Sequence, residues 1–159
     1  MPSLFFNPDF QKIYYGWWRS LLTTTNPETG KALQDDPAVA MVELVNEDSY
    51  FFWTFKPYES IPETQMEILE QQFANWLTAK YGALQKARDA WSNSPNPNSQ
   101  QVRGDAPETG RVGILPPGEI VAQRDSRRAQ DTAAFLADSQ QRFSRGRSPS
   151  CAVTSATKA

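Results

Sequence analysis

The chain has 159 residues, a net charge of −2 and a hydrophobic share of 39%, which suits one ordinary domain diluted by loop and not two large ones. With no histidine and a single cysteine, Cys151, it excludes Ser-His-Asp and Cys-His catalysis within the chain, histidine-based metal sites and an internal disulfide. No run approaches the ~18 apolar residues of a membrane span, and Met1–Phe6 lacks the basic and apolar regions of a signal peptide.

Acid–base chemistry therefore falls to carboxylates, Lys, Tyr or Cys. Charge is divided unevenly. Residues 1–102 carry 7 basic and 12 acidic side chains, net −5, and residues 103–159 carry 9 basic and 6 acidic, net +3. Arg124, Arg127, Arg128, Arg142, Arg145 and Arg147 have no stacking aromatics interleaved among them, so a solvated helix face is expected rather than a nucleic-acid surface.

Asn7-Pro8-Asp9 opens a helix: Asn7 caps it, Pro8 fits its first position and Asp9 favours the positive end of the dipole. Phe10, Ile13, Tyr14, Trp17, Trp18, Leu21 and Leu22 recur at helical spacing, and Asn26-Pro27 stops the run. Trp17 and Trp18 read as core. After a loop with the turn signal Glu28-Thr29-Gly30, Ala38–Val45 is nearly continuously apolar, as in a parallel strand covered on both faces. It stops at Asn46-Glu47, where parallel α/β folds place their chemistry. Glu47 is the candidate catalytic acid. On periodicity alone, a strand-end carboxylate that caps the next segment is an equal alternative.

The aromatic stretch Tyr50-Phe51-Phe52-Trp53 follows. Pro62-Glu63 begins a second helix with Met66, Leu69, Phe73, Trp76 and Leu77 as its apolar stripe and Glu67, Glu70 and Gln71 facing away. Tyr81-Gly82 interrupts it, and Ala83–Trp91 reads as a further short helix. A loop-rich insertion is expected at 92–123, with a short strand at 111–115. Residues 124–143 read as a helix with Ala129, Ala133, Phe135, Leu136 and Phe143 inward. Ser144–Ala159 loses all periodicity and reads as a disordered tail; a single-base frameshift is one expected origin for it.

Asn26-Pro-Glu-Thr-Gly30, Asp35-Asp-Pro-Ala38, Val42-Glu-Leu-Val-Asn-Glu47 and Asn75-Trp-Leu-Thr-Ala-Lys-Tyr-Gly82 with Ala90-Trp91, in this order, resemble the segment around the fourth barrel strand of clan A glycoside hydrolases. The closest flavour is that of the cellulase and β-galactosidase families. The likeness is clear in 26–91 and looser over 5–143. It implies an α/β fold, a partial (β/α)8 barrel over residues 1–143 with one clear parallel strand at 38–45. It also implies retaining hydrolysis of an O-glycosidic bond in an oligo- or polysaccharide. Glu47 becomes the acid/base and Asn46 the ligand of the sugar 2-hydroxyl, while Phe52 and Trp53 line the subsites. A carboxyl in that role must hold a proton near neutrality, which apolar neighbours such as Trp53 supply by desolvation. No cofactor or metal is implied.

The mechanism also needs a second carboxylate as nucleophile, and no strand-plus-Glu pattern after residue 91 supplies it. The expectation is an internal fragment, inactive alone, of a larger glycosidase. Sugar, linkage, oligomeric state and compartment are left open, a secreted or periplasmic parent being one option. The alternative is a non-catalytic α/β or helical module that binds a carbohydrate or a partner protein through its aromatic surfaces.

Overall fold

The computed structural model describes residues 2–94 and 101–146. Among these, the chain forms six α-helices: α1 (Pro8–Thr23), α2 (Pro57–Ser60), α3 (Glu63–Tyr81), α4 (Leu84–Ser92), α5 (Pro117–Ala122) and α6 (Arg127–Ser144). Short 3-10 turns sit at Pro2–Phe5, Leu33–Asp35 and Pro107–Thr109. The disorder and frameshift expected for the tail fall on 147–159, outside the described residues; Ser144 itself closes α6.

The expected α/β barrel fragment is not what forms. No β-strand is present among the described residues, only the isolated bridges Thr25–Ala32 and Ala106–Arg111. Residues 38–45 leave an Asx turn, in which the Ala38 N–H donates to the Asp36 carboxylate at 2.9 Å, and then run without secondary structure. A continuous apolar run reports side chains that avoid water. A strand additionally needs a neighbouring backbone to pair with, and among the described residues none pairs with it. The stretch 111–115 is also no strand. It is buried all the same at Val112, Ile114 and Leu115; the Val112 N–H donates to the Glu70 backbone carbonyl at 3.3 Å, and side chains take the next two donors, the Gly113 N–H going to Asp105 at 2.8 Å and the Ile114 N–H to the Tyr58 hydroxyl at 2.9 Å.

The helices start and stop for local reasons. The Asn7 side chain accepts from the N–H groups of Asp9 at 2.8 Å and Phe10 at 3.2 Å, capping α1. Its amide also donates to Gln65 at 2.7 Å, tying the start of α1 to α3. Gly82 takes φ 82°, a left-handed C-cap whose N–H returns to the Thr78 carbonyl, a conformation that costs a residue with a Cβ. The Ser126 hydroxyl caps α6 on the Ala129 N–H at 3.2 Å.

The core lies between α3, α4 and α6, with the Pro2–Phe5 turn inserted as a plug. Phe73 stacks on Phe135 with centroids 4.9 Å apart. Phe5 meets Tyr50 edge-on at 5.1 Å and Phe143 at 5.2 Å. Such aromatic pairs add about 0.5–1.5 kcal/mol each beyond their area burial.

Four side chains depart from the helical-stripe reading. Trp17 is 56% exposed, on an outward ridge of α1 with Phe10, Ile13 and Leu21. Trp18 and Trp76 are half-buried. Glu70 is 2% exposed instead of facing away. The spacing of apolar residues marks a helix face but not which neighbours arrive to cover it.

Candidate functional site

The four residues expected to handle a sugar, Asn46, Glu47, Phe52 and Trp53, all lie on the connection between the Leu33–Asp35 turn and α2. Gln140 of α6 positions this connection, its side-chain oxygen accepting the Ser49 hydroxyl at 3.0 Å and the Tyr50 N–H at 3.3 Å. Tyr50 and Phe55 plunge into the core on either side of the bend. Turn hydrogen bonds from the Phe52 N–H to the Ser49 carbonyl (3.2 Å) and from the Phe55 N–H to the Phe52 carbonyl (2.9 Å) then lift Phe51, Phe52 and Trp53 to the crest. Trp53 is 78% exposed.

Asn46 and Glu47 are exposed on the preceding bend. Glu47 has φ 45°, and among the described residues no other non-glycine residue has positive φ. For a side chain with a Cβ this backbone costs on the order of 1–3 kcal/mol, and such strain clusters at functional sites. The structure thus gathers the carboxylate, the amide and the two rings on one short segment. It does not close them into a cleft: none of the four lines any cavity described below.

The sequence reading missed a buried polar network on the opposite ends of α3 and α6. Arg128, expected on a solvated face, is buried. Its guanidinium grips Asp105 with two bonds of 2.7 and 2.9 Å and donates to the Gly113 carbonyl at 3.0 Å. The guanidinium carbon lies 5.0 Å from the Trp91 ring centroid. Three residues along α6, Asp131 accepts from Lys80 at 2.6 Å, Tyr81 at 2.8 Å and the Trp91 indole at 2.7 Å. One signal was readable in the sequence. Arg128, Asp131, Phe135 and Ser139 recur at helical spacing, so polar residues share the apolar face and must find partners there.

Glu70 faces the Tyr58 hydroxyl, with the Arg111 guanidinium 3.7 Å away. Burial raises its pKa above the ordinary 4.5, and the Tyr58 and Arg111 groups pull it back in part. Burial likewise pushes the Tyr58 phenol up, against the hydrogen bond from the Ile114 backbone. Gly104, at φ 88°, is required here: a Cβ at that position would fall 2.0 Å from a Glu70 carboxylate oxygen. A cavity of about 400 Å³ opens beside the network, lined by Arg88, Trp91, Asp105, Arg111 and Arg128 among others. A second, apolar groove of about 530 Å³ runs between the Pro2–Phe5 turn and α1, past Phe10, Ile13, Tyr14 and Trp17.

The Arg128–Asp105 and Asp131 clusters are scaffold. Every strong bond in them ties one piece of the fold to another: the 101–115 segment to α6, and α3 and α4 to α6. Among the described residues, no group of three His, Cys, Asp or Glu side chains is arranged to hold a metal ion, and no helix is long and apolar enough to cross a membrane. No protein-family model, curated protein or solved structure matches the chain.

Proposed function

We propose that this chain is the acid/base-bearing piece of a retaining glycoside hydrolase acting on an O-glycosidic bond of an oligo- or polysaccharide. Glu47 is the proton donor and acceptor, Asn46 the ligand of the sugar 2-hydroxyl, and Phe52 and Trp53 the rings on which sugar stacks. The observation that carries the reading is the segment itself. A strained, exposed carboxylate and an exposed amide sit between two uncovered apolar stretches, Met41–Leu44 before and Phe51–Trp53 after, and this lies within the ordered set of glycosidase-like segments.

The roles follow from the chemistry. Glu47 as the acid gives its proton to the departing glycosidic oxygen while a second carboxylate attacks the anomeric carbon, forming a glycosyl-enzyme. Glu47, now a carboxylate, takes a proton from water, and the resulting hydroxide equivalent breaks the glycosyl–enzyme bond. The nucleophile belongs to the remainder of the enzyme. So does the polypeptide that covers Trp53 and removes Glu47 from water. The isolated chain accordingly turns over no substrate.

The test is a longer protein rebuilt from the flanking coding DNA, assayed on aryl glycosides. Wild type should hydrolyse them, and Glu47→Gln should lose about 10²–10⁴-fold in turnover. Equal activity of the two proteins would overturn the assignment of Glu47.

One observation favours a second reading, a helical interaction module. The outward ridge of α1, Phe10, Ile13, Trp17 and Leu21, is larger and more apolar than a solvated helix face requires. Under that reading, Glu47→Gln leaves ligand affinity unchanged, whereas Trp17→Ala abolishes it.

A further inference from the structure

We propose that residues 39–45 form a self-pairing edge through which two copies of this chain associate as an antiparallel β-ribbon. The backbone provides the first argument. Among the described residues, no N–H group of residues 40–47 has a hydrogen-bond partner, and of the carbonyls only that of Leu44 is engaged, by the Tyr14 hydroxyl. An unpaired run of donors and acceptors is a template for another strand. Its side chains supply the second argument. Met41 is 85% exposed, and Val42 and Leu44 are uncovered too. Val39-Ala-Met-Val-Glu-Leu-Val45 combines strand-forming residues with a single charge and no proline, the composition that pairs with itself most readily.

Charge and geometry select a second copy in one orientation. A parallel, in-register pair would set Glu43 directly against Glu43, like charge on like charge. An antiparallel pair centred on Val42 sets Glu43 against Met41, Leu44 against Ala40 and Val45 against Val39. Ala40, Val42 and Leu44 then form one wholly apolar face across both strands. The two-fold symmetry of this pairing closes the assembly at a dimer.

Tyr14 fixes which edge is free. In an extended strand, alternate residues turn their N–H and C=O to opposite sides. Once the segment extends in the ribbon, with the Leu44 carbonyl kept on Tyr14, Ala40 and Val42 turn to the α1 side as well. Met41, Glu43 and Val45 face outward. Met41 and Glu43 exchange both bonds with Glu43 and Met41 of the second copy. The Val45 N–H donates to the Val39 carbonyl, while the Val39 N–H stays with the Asp36 carbonyl that already holds it at 3.0 Å.

The pairing is independent of the glycosidase reading and is tested on the 159-residue chain. Sedimentation equilibrium should show a monomer–dimer equilibrium with a dissociation constant of about 1–100 μM. Hydrogen exchange at the dimer concentration should protect the amides of Met41, Glu43 and Val45 and leave those of Val42 and Leu44 open. Glu43→Pro removes one outward donor, and Val42→Lys sets lysine against lysine at the two-fold axis and breaks the apolar face. Each should weaken association at least about tenfold, with helical circular dichroism unchanged because neither site packs in the core. A chain that is monomeric throughout that range overturns the proposal. So does a dimer that both variants leave intact, which would instead place the interface on the α1 ridge.

Discussion

Asp131 accepts a hydrogen bond from the Trp91 indole at 2.7 Å, joining α6 to the end of α4 across 40 residues of sequence. The same carboxylate takes Lys80 and Tyr81 from the last turn of α3, so a single side chain locks three helices at one end of the core. Asp131→Ala leaves the buried indole N–H without an acceptor and should cost about 1–3 kcal/mol in urea unfolding. Asp131→Asn retains an acceptor and should cost less. The Tyr81 phenol is held up first by burial and then by its bond to Asp131. Ultraviolet titration of Asp131→Ala should therefore show Tyr81 ionising at lower pH than in the wild type.

Arg128 and Asp105 form a two-bond pair in which both partners are largely withdrawn from water. Removing either partner alone strands the other, and Arg128→Met or Asp105→Leu should each destabilise by about 3–5 kcal/mol. The double variant should cost clearly less than the sum of the two, because no charge remains stranded. Thermal melts of the four proteins complete the cycle.

Glu70 titrates with a sign opposite to that of a salt-bridged carboxylate. Its folded pKa is raised by burial above the ordinary 4.5, so between those two values the folded chain binds the proton more tightly than the unfolded chain. Stability associated with Glu70 is therefore full below about pH 4.5 and declines as pH rises through the raised value. Glu70→Gln keeps the side chain neutral and should flatten this decline. Urea unfolding from pH 4 to 8 should show the variant gaining on the wild type as pH increases, with equal slopes contradicting the account.

Asn7 was identifiable as a helix cap from its neighbours Pro8 and Asp9, and the structure adds its bond to Gln65. Asn7→Ala should cost about 1–2 kcal/mol. Asn7→Asp keeps the cap and loses the amide donor, and should fall between the two in thermal denaturation.

These residues also mark how far the sequence carries. Asn7 and Gly82 act on their own neighbours within four residues, and local chemistry is legible; Ser126, which caps α6 at its start three residues after the expected 124, was not picked out. The buried positions of α3 and α6, from Met66 to Leu77 and from Ala129 to Phe143, follow helical spacing for the same reason. Ala38–Val45 failed because a strand is a relationship between two segments, and the apolar run describes one. Glu70 and Arg128 failed, and Asp131 went unread, because each is buried by partners 12 to 51 residues distant, which a periodic pattern in one helix does not register. At the candidate site, the sequence picked the segment that carries Asn46, Glu47, Phe52 and Trp53. Their exposure, and the strained backbone of Glu47, came only from the fold.

The proton-transfer role of Glu47 is tested most directly by azide rescue. In the longer protein rebuilt from flanking DNA, Glu47→Ala should accumulate a glycosyl-enzyme from substrates with good leaving groups, because no base is left to activate water. Added azide, which needs no deprotonation, should restore turnover and release a glycosyl azide with the anomeric configuration of the substrate. Hydrolysis by Glu47→Ala at the wild-type rate, with no azide adduct, would contradict the account.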